Sequence, residues 1–133
     1  MKMISWNVNG VRAREKQVRE LIKKERPDVL LLQEIKAPMD AFSDQRENWT
    51  SATGSAHGGV ATYTKNPHTV YTISNATALI EYRKIKIVNT YVPCGIKDVS
   101  AFSLKLEHLY RLKNQLDDFS GNLIVGGDLN VCL

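Results

Sequence analysis

The chain has 133 residues, 43% of them hydrophobic and 24% charged, proportions of a soluble globular domain that exclude a disordered tract. Its longest purely apolar run is Val29 to Leu32, far too short to cross a bilayer, so no membrane partner is expected. The formal charge of +4 suits a polyanionic partner without identifying one, because lysines and arginines are spread along the whole chain.

The opening stretch "MKMISWNVNG" lacks the apolar core and small-residue cleavage site of a signal peptide, so a cytoplasmic protein is expected. Within it a strand is expected, with Ile4, Trp6 and Val8 on one face and Met3, Ser5 and Asn7 on the other. Asn9 and Gly10 mark a turn. Val11, Val18, Leu21 and Ile22 then share one face of a helix that Pro27 closes, since the residue before a proline is pushed out of helical geometry. "DVLLLQE" is a continuous apolar strand, the pattern of a strand covered on both faces.

Residues 36 to 57 are polar and irregular and read as a long loop with at most a helical turn. "GGVATYTK", "TVYTI", "ALIEY" and "KIKIVNTYVP" read as four further strands, the last stopped by Pro93. Phe102, Leu106, Leu109, Leu112, Leu116 and Phe119 step by threes and fours along a long helix, with Gly121 as its stop. "NLIVGG" is the final strand. The order of elements is that of an α/β domain. Cys94 and Cys132 lie far apart without CxxC spacing and read as reduced thiols.

Polar side chains collect where the strands end: Asn7 and Asn9, Gln33 and Glu34, Asn89 and Tyr91, Asp128 and Asn130. Ligands of open α/β sheets bind beyond the carboxyl ends of strands. Gathered on one edge, these residues would offer two carboxylates, several amides and a phenol, hard donors that suit Mg²⁺. Zinc does not suit this set, which itself holds no histidine or cysteine. Each residue also has a plainer role. Asp128 and Asn130 are common turn residues, Glu34 can be a surface carboxylate, Tyr91 can pack its ring and wet its hydroxyl, and Asn7 can cap a turn.

Four strings decide between these readings: "ISWNVNGVRA", "PDVLLLQEIKA", "GGVATYTK" with "NTYVPCG", and "LIVGGDLNV". In this order they resemble the exonuclease III class of apurinic/apyrimidinic endonucleases, within the endonuclease/exonuclease/phosphatase superfamily. The resemblance spans nearly the whole chain. It implies a four-layer α/β sandwich, two sheets face to face with helices outside, of which residues 1–133 would be the N-terminal half, cut after the Gly-Asp-Leu-Asn string. It implies hydrolysis of a DNA phosphodiester, at abasic sites or 3′ ends of a duplex, dependent on Mg²⁺ or, in its place, Mn²⁺. On that resemblance Glu34 binds the metal and Asn7 supports the metal or its waters. Tyr91 contacts the scissile phosphate, Asp128 orients or deprotonates the attacking water, and Asn130 holds a phosphate oxygen.

Members of that class are about twice this long as single domains. Their second half carries a further aspartate and a Ser-Asp-His string, which none of His57, His68 and His108 matches. His57 reads as a loop residue and His108 as a surface or packing residue of the long helix. The stretch from Lys65 to Ile85 is short and lacks a Glu-Gly-Arg turn, and Cys94 stands where a polar residue is usual. The isolated fragment is therefore expected to be inactive and to need a complementary C-terminal half. Another phosphodiesterase of the superfamily, such as a retroelement-type endonuclease or an RNA-directed nuclease, and a non-catalytic DNA- or partner-binding remnant remain as alternatives.

Overall fold

The computed structural model describes residues 1–37, 48–52, 58–74 and 76–131. Strand β1 (Met3–Asn7), helix α1 (Val11–Glu25) and strand β2 (Val29–Gln33) form a parallel β-α-β unit. Arg26 ends α1 in a left-handed conformation with its N–H on the Ile22 carbonyl at 2.9 Å, and Pro27 prevents any continuation. Strands β3 (Trp49–Ala52) and β4 (Val60–Thr64) complete one sheet in the order β1-β2-β4-β3. The second sheet holds β5 (Thr69–Ser74), β6 (Thr77–Tyr82), β7 (Ile85–Tyr91) and β8 (Leu123–Asp128), in that order. Helix α2 (Val99–Asp117) carries the chain from β7 to β8, which are again parallel. Asp98 caps α2 by accepting from the Ala101 N–H at 2.8 Å.

The period of two explains the layers. Leu30 and Leu32 of β2 pack under α1 with Ile4, Trp6, Val11 and Val18, while Val29 and Leu31 face the second sheet and meet Ile80, Tyr82 and Ile87. Both faces of β2 are buried, which is why its sequence is an unbroken apolar run. On the far side Leu112 and Leu116 of α2, with Phe119 just past its end, cover Leu79, Val88 and Leu123. The order helix, sheet, sheet, helix is the expected four-layer α/β arrangement.

Two expectations are corrected. Strand β3 lies inside the segment read as a loop; it pairs with β4 from Trp49↔Tyr63 to Ala52↔Val60, and the Trp49 ring packs against Tyr63 in a tilted pair with centroids 5.2 Å apart. Pairing and that ring contact hold a strand whose own sequence is too short to show alternation. The apolar face of α2 is also displaced from the expected one. Phe102 and Leu106 are 52% and 39% exposed, whereas Lys105 and His108 turn inward onto the Asn130 carbonyl and Thr90 Oγ1. His57 and the remainder of the expected loop, residues 38–47 and 53–57, lie outside the described residues.

Candidate active site

Asn7 closes β1, Glu34 follows β2, and Tyr91 and Asp128 close β7 and β8. The parallel registers Asn7↔Gln33 and Tyr91↔Asp128 bring these ends level within each sheet. Asn7 Nδ2 donates to Glu34 Oε1, beside it on the same sheet, at 2.9 Å and, across the gap between the sheets, to Asp128 Oδ2 at 2.8 Å. The Asn7 amide oxygen accepts the Asn9 N–H at 3.0 Å, which fixes which end of the amide meets the carboxylates. The Tyr91 hydroxyl lies beside the Glu34 carboxylate and the Asn130 side chain. Asn130 also donates from its own N–H to Asp128 Oδ1 at 2.9 Å and from Nδ2 to the Val92 carbonyl at 2.8 Å. All five residues singled out from sequence meet in one cluster.

The backbone around them is unusual. Asn9, Glu34, Lys36 and Asn130 have φ of 46°, 50°, 55° and 48°, the left-handed region that costs a non-glycine residue on the order of 1–2 kcal/mol. Hydrogen bonds hold the turn after β2 in place: Gly10 N to the Glu34 carbonyl at 2.7 Å, Val11 N to the Ile35 carbonyl at 2.9 Å, and Lys36 N to the Gly58 carbonyl at 3.1 Å. Strain kept by such over-determination is common where geometry serves a site. On β8, Gly127 has φ 132°, and a Cβ there would sit 1.9 Å from the Thr90 carbonyl oxygen. Only glycine lets β8 come this close to β7 and carry Asp128 to the site.

Burial works to raise the Glu34 carboxyl, but hydrogen bonds from Asn7, Tyr91 and Lys36 and the Lys36 charge outweigh it and hold it below its usual value. Glu34 is therefore an anion at neutral pH. Burial, together with the bond to Glu34 and the Glu34 and Asp128 charges, pushes the Tyr91 phenol up to about 12 against the opposing Asn130 bond. Tyr91 consequently keeps its proton and is a donor. Lys36 Nζ stands 3.4 Å from Glu34 Oε2 and also bonds the Asn9 side-chain oxygen.

The donor set fits a hard divalent cation in kind: two carboxyls converge, and one or two carboxylates completed by waters are the ligation that Mg²⁺ prefers. It does not fit zinc, since His68 and His108 are engaged with threonines elsewhere. Among the described residues no group of three or more His, Cys, Asp and Glu side chains is gathered, so waters or further oxygens would complete the shell.

The sequence reading missed Lys36 and Lys105: for Lys36 the step of two from Glu34, on one turn, is the signal that was there, whereas nothing along the helix flags Lys105. Gln33 and Asn89, noted as strand-end residues, turn out to be buried between the sheets, each 1% exposed. Cys94 is exposed, and among the described residues no helix is long and apolar enough to cross a membrane.

A family model described as the Endonuclease/Exonuclease/phosphatase family matches residues 4–133. The chain is 34% identical over 157 residues to a DNA-(apurinic or apyrimidinic site) endonuclease of Dictyostelium discoideum, covering 98% of this chain and 42% of that one. It is 30% identical over 154 residues to exodeoxyribonuclease III of Haemophilus influenzae, with 98% and 58% covered. Among solved structures, an AP endonuclease from Archaeoglobus fulgidus superposes with a TM-score of 0.83 at 27% identity, again covering 98% and 58%. The chain thus spans about half the length of the curated relatives it matches.

Proposed function

The chain belongs to the endonuclease/exonuclease/phosphatase family, and from that premise we propose that it carries half of the active site of a DNA-repair phosphodiester hydrolase, acting on abasic sites or 3′ ends of duplex DNA. The observation that carries the reading is the convergence of Glu34 and Asp128, from different sheets, on one amide nitrogen of Asn7 beside the Tyr91 hydroxyl. Relatives named as an apurinic/apyrimidinic endonuclease and an exodeoxyribonuclease support the substrate class.

In this proposal Glu34 would hold Mg²⁺, or Mn²⁺ in its place, with Asn7 fixing the carboxylate and supporting the cation's waters. The cation would neutralise an anionic phosphodiester and polarise its phosphorus. Asp128 takes a proton from the attacking water as its oxygen bonds to phosphorus and the P–O ester bond breaks. Its Oδ2 is held by Asn7 and its Oδ1 by the Asn130 N–H, so the carboxylate meets the water in one orientation. Tyr91, protonated at neutral pH, donates to a phosphate oxygen, and the Asn130 amide holds another as charge gathers there.

These groups act as a unit, and loss of one charge-stabilising donor costs about 10²–10³ in rate. The 133-residue chain alone is therefore expected not to nick an abasic duplex at a useful rate. A complementary C-terminal half from a relative, fused after Leu133 or added in trans, should restore Mg²⁺-dependent nicking that Asp128→Asn abolishes. Robust nicking by the chain alone, lost in Asp128→Asn, would show that no second half is needed. A soluble, folded fusion that binds abasic DNA without nicking it would favour the non-catalytic binding reading, and cleavage of RNA over DNA would favour another phosphodiesterase of the family.

A further inference from the structure

Beneath the site lies a polar layer that the proposed chemistry does not use. The β2 row facing the second sheet runs Val29, Leu31, Gln33, and the facing β7 row runs Ile87, Asn89, Tyr91, so each turns from apolar to polar just short of the site. There Gln33 Nε2 donates to Asn89 Oδ1 at 2.9 Å and to Ser5 Oγ, on the more open β1, at 3.2 Å. Asn89 Nδ2 donates back across the gap to the Leu32 carbonyl at 3.2 Å, the Ala61 carbonyl at 2.9 Å and Thr62 Oγ1 at 3.2 Å. Asn89 thus reaches from β7 to both β2 and β4 of the opposite sheet.

We propose that Gln33 and Asn89 are positioning residues, an amide floor that fixes the spacing of the two sheets and the height at which Glu34, Tyr91 and Asp128 meet. Apolar layers of two sheets can slide past each other at little cost, because dispersion and burial are non-directional. Hydrogen bonds of set length and angle cannot. Buried amides are expensive unless every group is partnered, and an apolar pair of the same shape would stabilise the sheets as well. The layer lies one residue from Glu34 and two from Tyr91, where a slip of the sheets would part Glu34 from Asp128.

The test compares the 133-residue chain with Asn89→Leu and with the double variant Gln33→Met/Asn89→Leu. Three quantities are measured: the thermal midpoint, the side-chain amide NMR signals of Asn7, and Mn²⁺ affinity by paramagnetic resonance. The last of these rests on the proposed function. Asn89→Leu strands the Gln33 amide and lowers the midpoint. The double variant recovers the midpoint, since both partners are replaced, yet its Asn7 signals stay displaced and Mn²⁺ binds about tenfold or more weakly, as when an outer support of a ligand is lost. A double variant with native Asn7 signals would overturn the proposal. Mn²⁺ binding that is absent, or that survives Glu34→Gln, would overturn the functional reading while the Asn7 signals still decide the floor. Should the double variant not fold, Gln33→Asn, which withdraws the amide by one methylene, carries the same test, and unmoved Asn7 signals there would also overturn it.

Discussion

Asn7 Nδ2 lies 2.8 Å from Asp128 Oδ2, although 121 positions separate the two residues. The same nitrogen serves Glu34 at 2.9 Å, so one neutral amide keeps two carboxylates together. Asn7→Ala should remove about 1–3 kcal/mol of stability, the range for bonds to charged groups, and the Glu34 carboxyl should titrate higher once it loses that bond. Urea midpoints and carboxyl ¹³C titrations check this. A midpoint equal to the parent's would mean that the amide is a bystander.

Lys36 is the cation beside Glu34, with side-chain exposures of 34% and 20%. The Glu34 carboxyl is held below its ordinary value of 4.5. Its ionisation therefore stabilises the fold above that pH, and the contribution is lost as pH falls through the folded-state value. Lys36→Met should shrink this contribution, by less than about 1 kcal/mol because the pair is partly solvated. Urea midpoints at neutral and acid pH should move closer together in the variant, and an unaltered difference would remove Lys36 from the account.

The two glycines of β8 should respond unequally. At Gly127 a Cβ would meet the rigid Thr90 carbonyl at 1.9 Å, and φ is 132°; at Gly126 it would meet Leu31 Cδ1 at 2.7 Å, the movable end of a side chain. Gly126→Ala should cost about 1–3 kcal/mol, as overpacking does, whereas Gly127→Ala should exceed about 4 kcal/mol and abolish a cooperative melt. Equal melts for the two variants would contradict the close approach of β8 to β7.

His68 and His108 should make the fold acid-sensitive. Burial lowers His68, and burial followed by the Arg111 charge lowers His108, both from an ordinary 6.5. The unfolded chain takes up protons first, so stability is intact above 6.5 and declines as pH falls from there toward the depressed folded values. The pH slope of the urea midpoint in that window should flatten in the double variant His68→Gln/His108→Gln. A slope as steep as the parent's would place the sensitivity elsewhere.

Much of this was legible because strands announce a change of environment. Val29 to Leu32 is apolar on both faces and then gives way to Gln33 and Glu34, a break that marks the end of the covered strand. The two glycines before Asp128 read only as the opening of a turn, and the close approach of Gly127 to the Thr90 backbone shows itself in the fold alone. Strand β3 was not legible, since Trp49–Ala52 is held by its partner β4 more than by its own pattern. Helical periodicity gave the width of the apolar stripe on α2 but not its centre, so Phe102 and Leu106 were placed inward while Lys105 and His108 took those positions through hydrogen bonds. The inward turn of Gln33 and Asn89 was hidden for a related reason: alternation predicts a face, and only the opposite sheet decides what that face touches.

Because β1 and β8 come from opposite ends of the described chain and meet only across the gap between sheets, the order in which contacts form during folding is constrained. Each β-α-β unit and each hairpin can assemble from near neighbours, whereas the Asn7–Asp128 hydrogen bond must close a loop of 121 positions. Contacts made after the rate-limiting barrier leave the folding rate alone and act on unfolding. A cation held by Glu34 beside Asp128 would then lengthen the lifetime of the native state without hastening its arrival, like a clasp fastened after the garment is on.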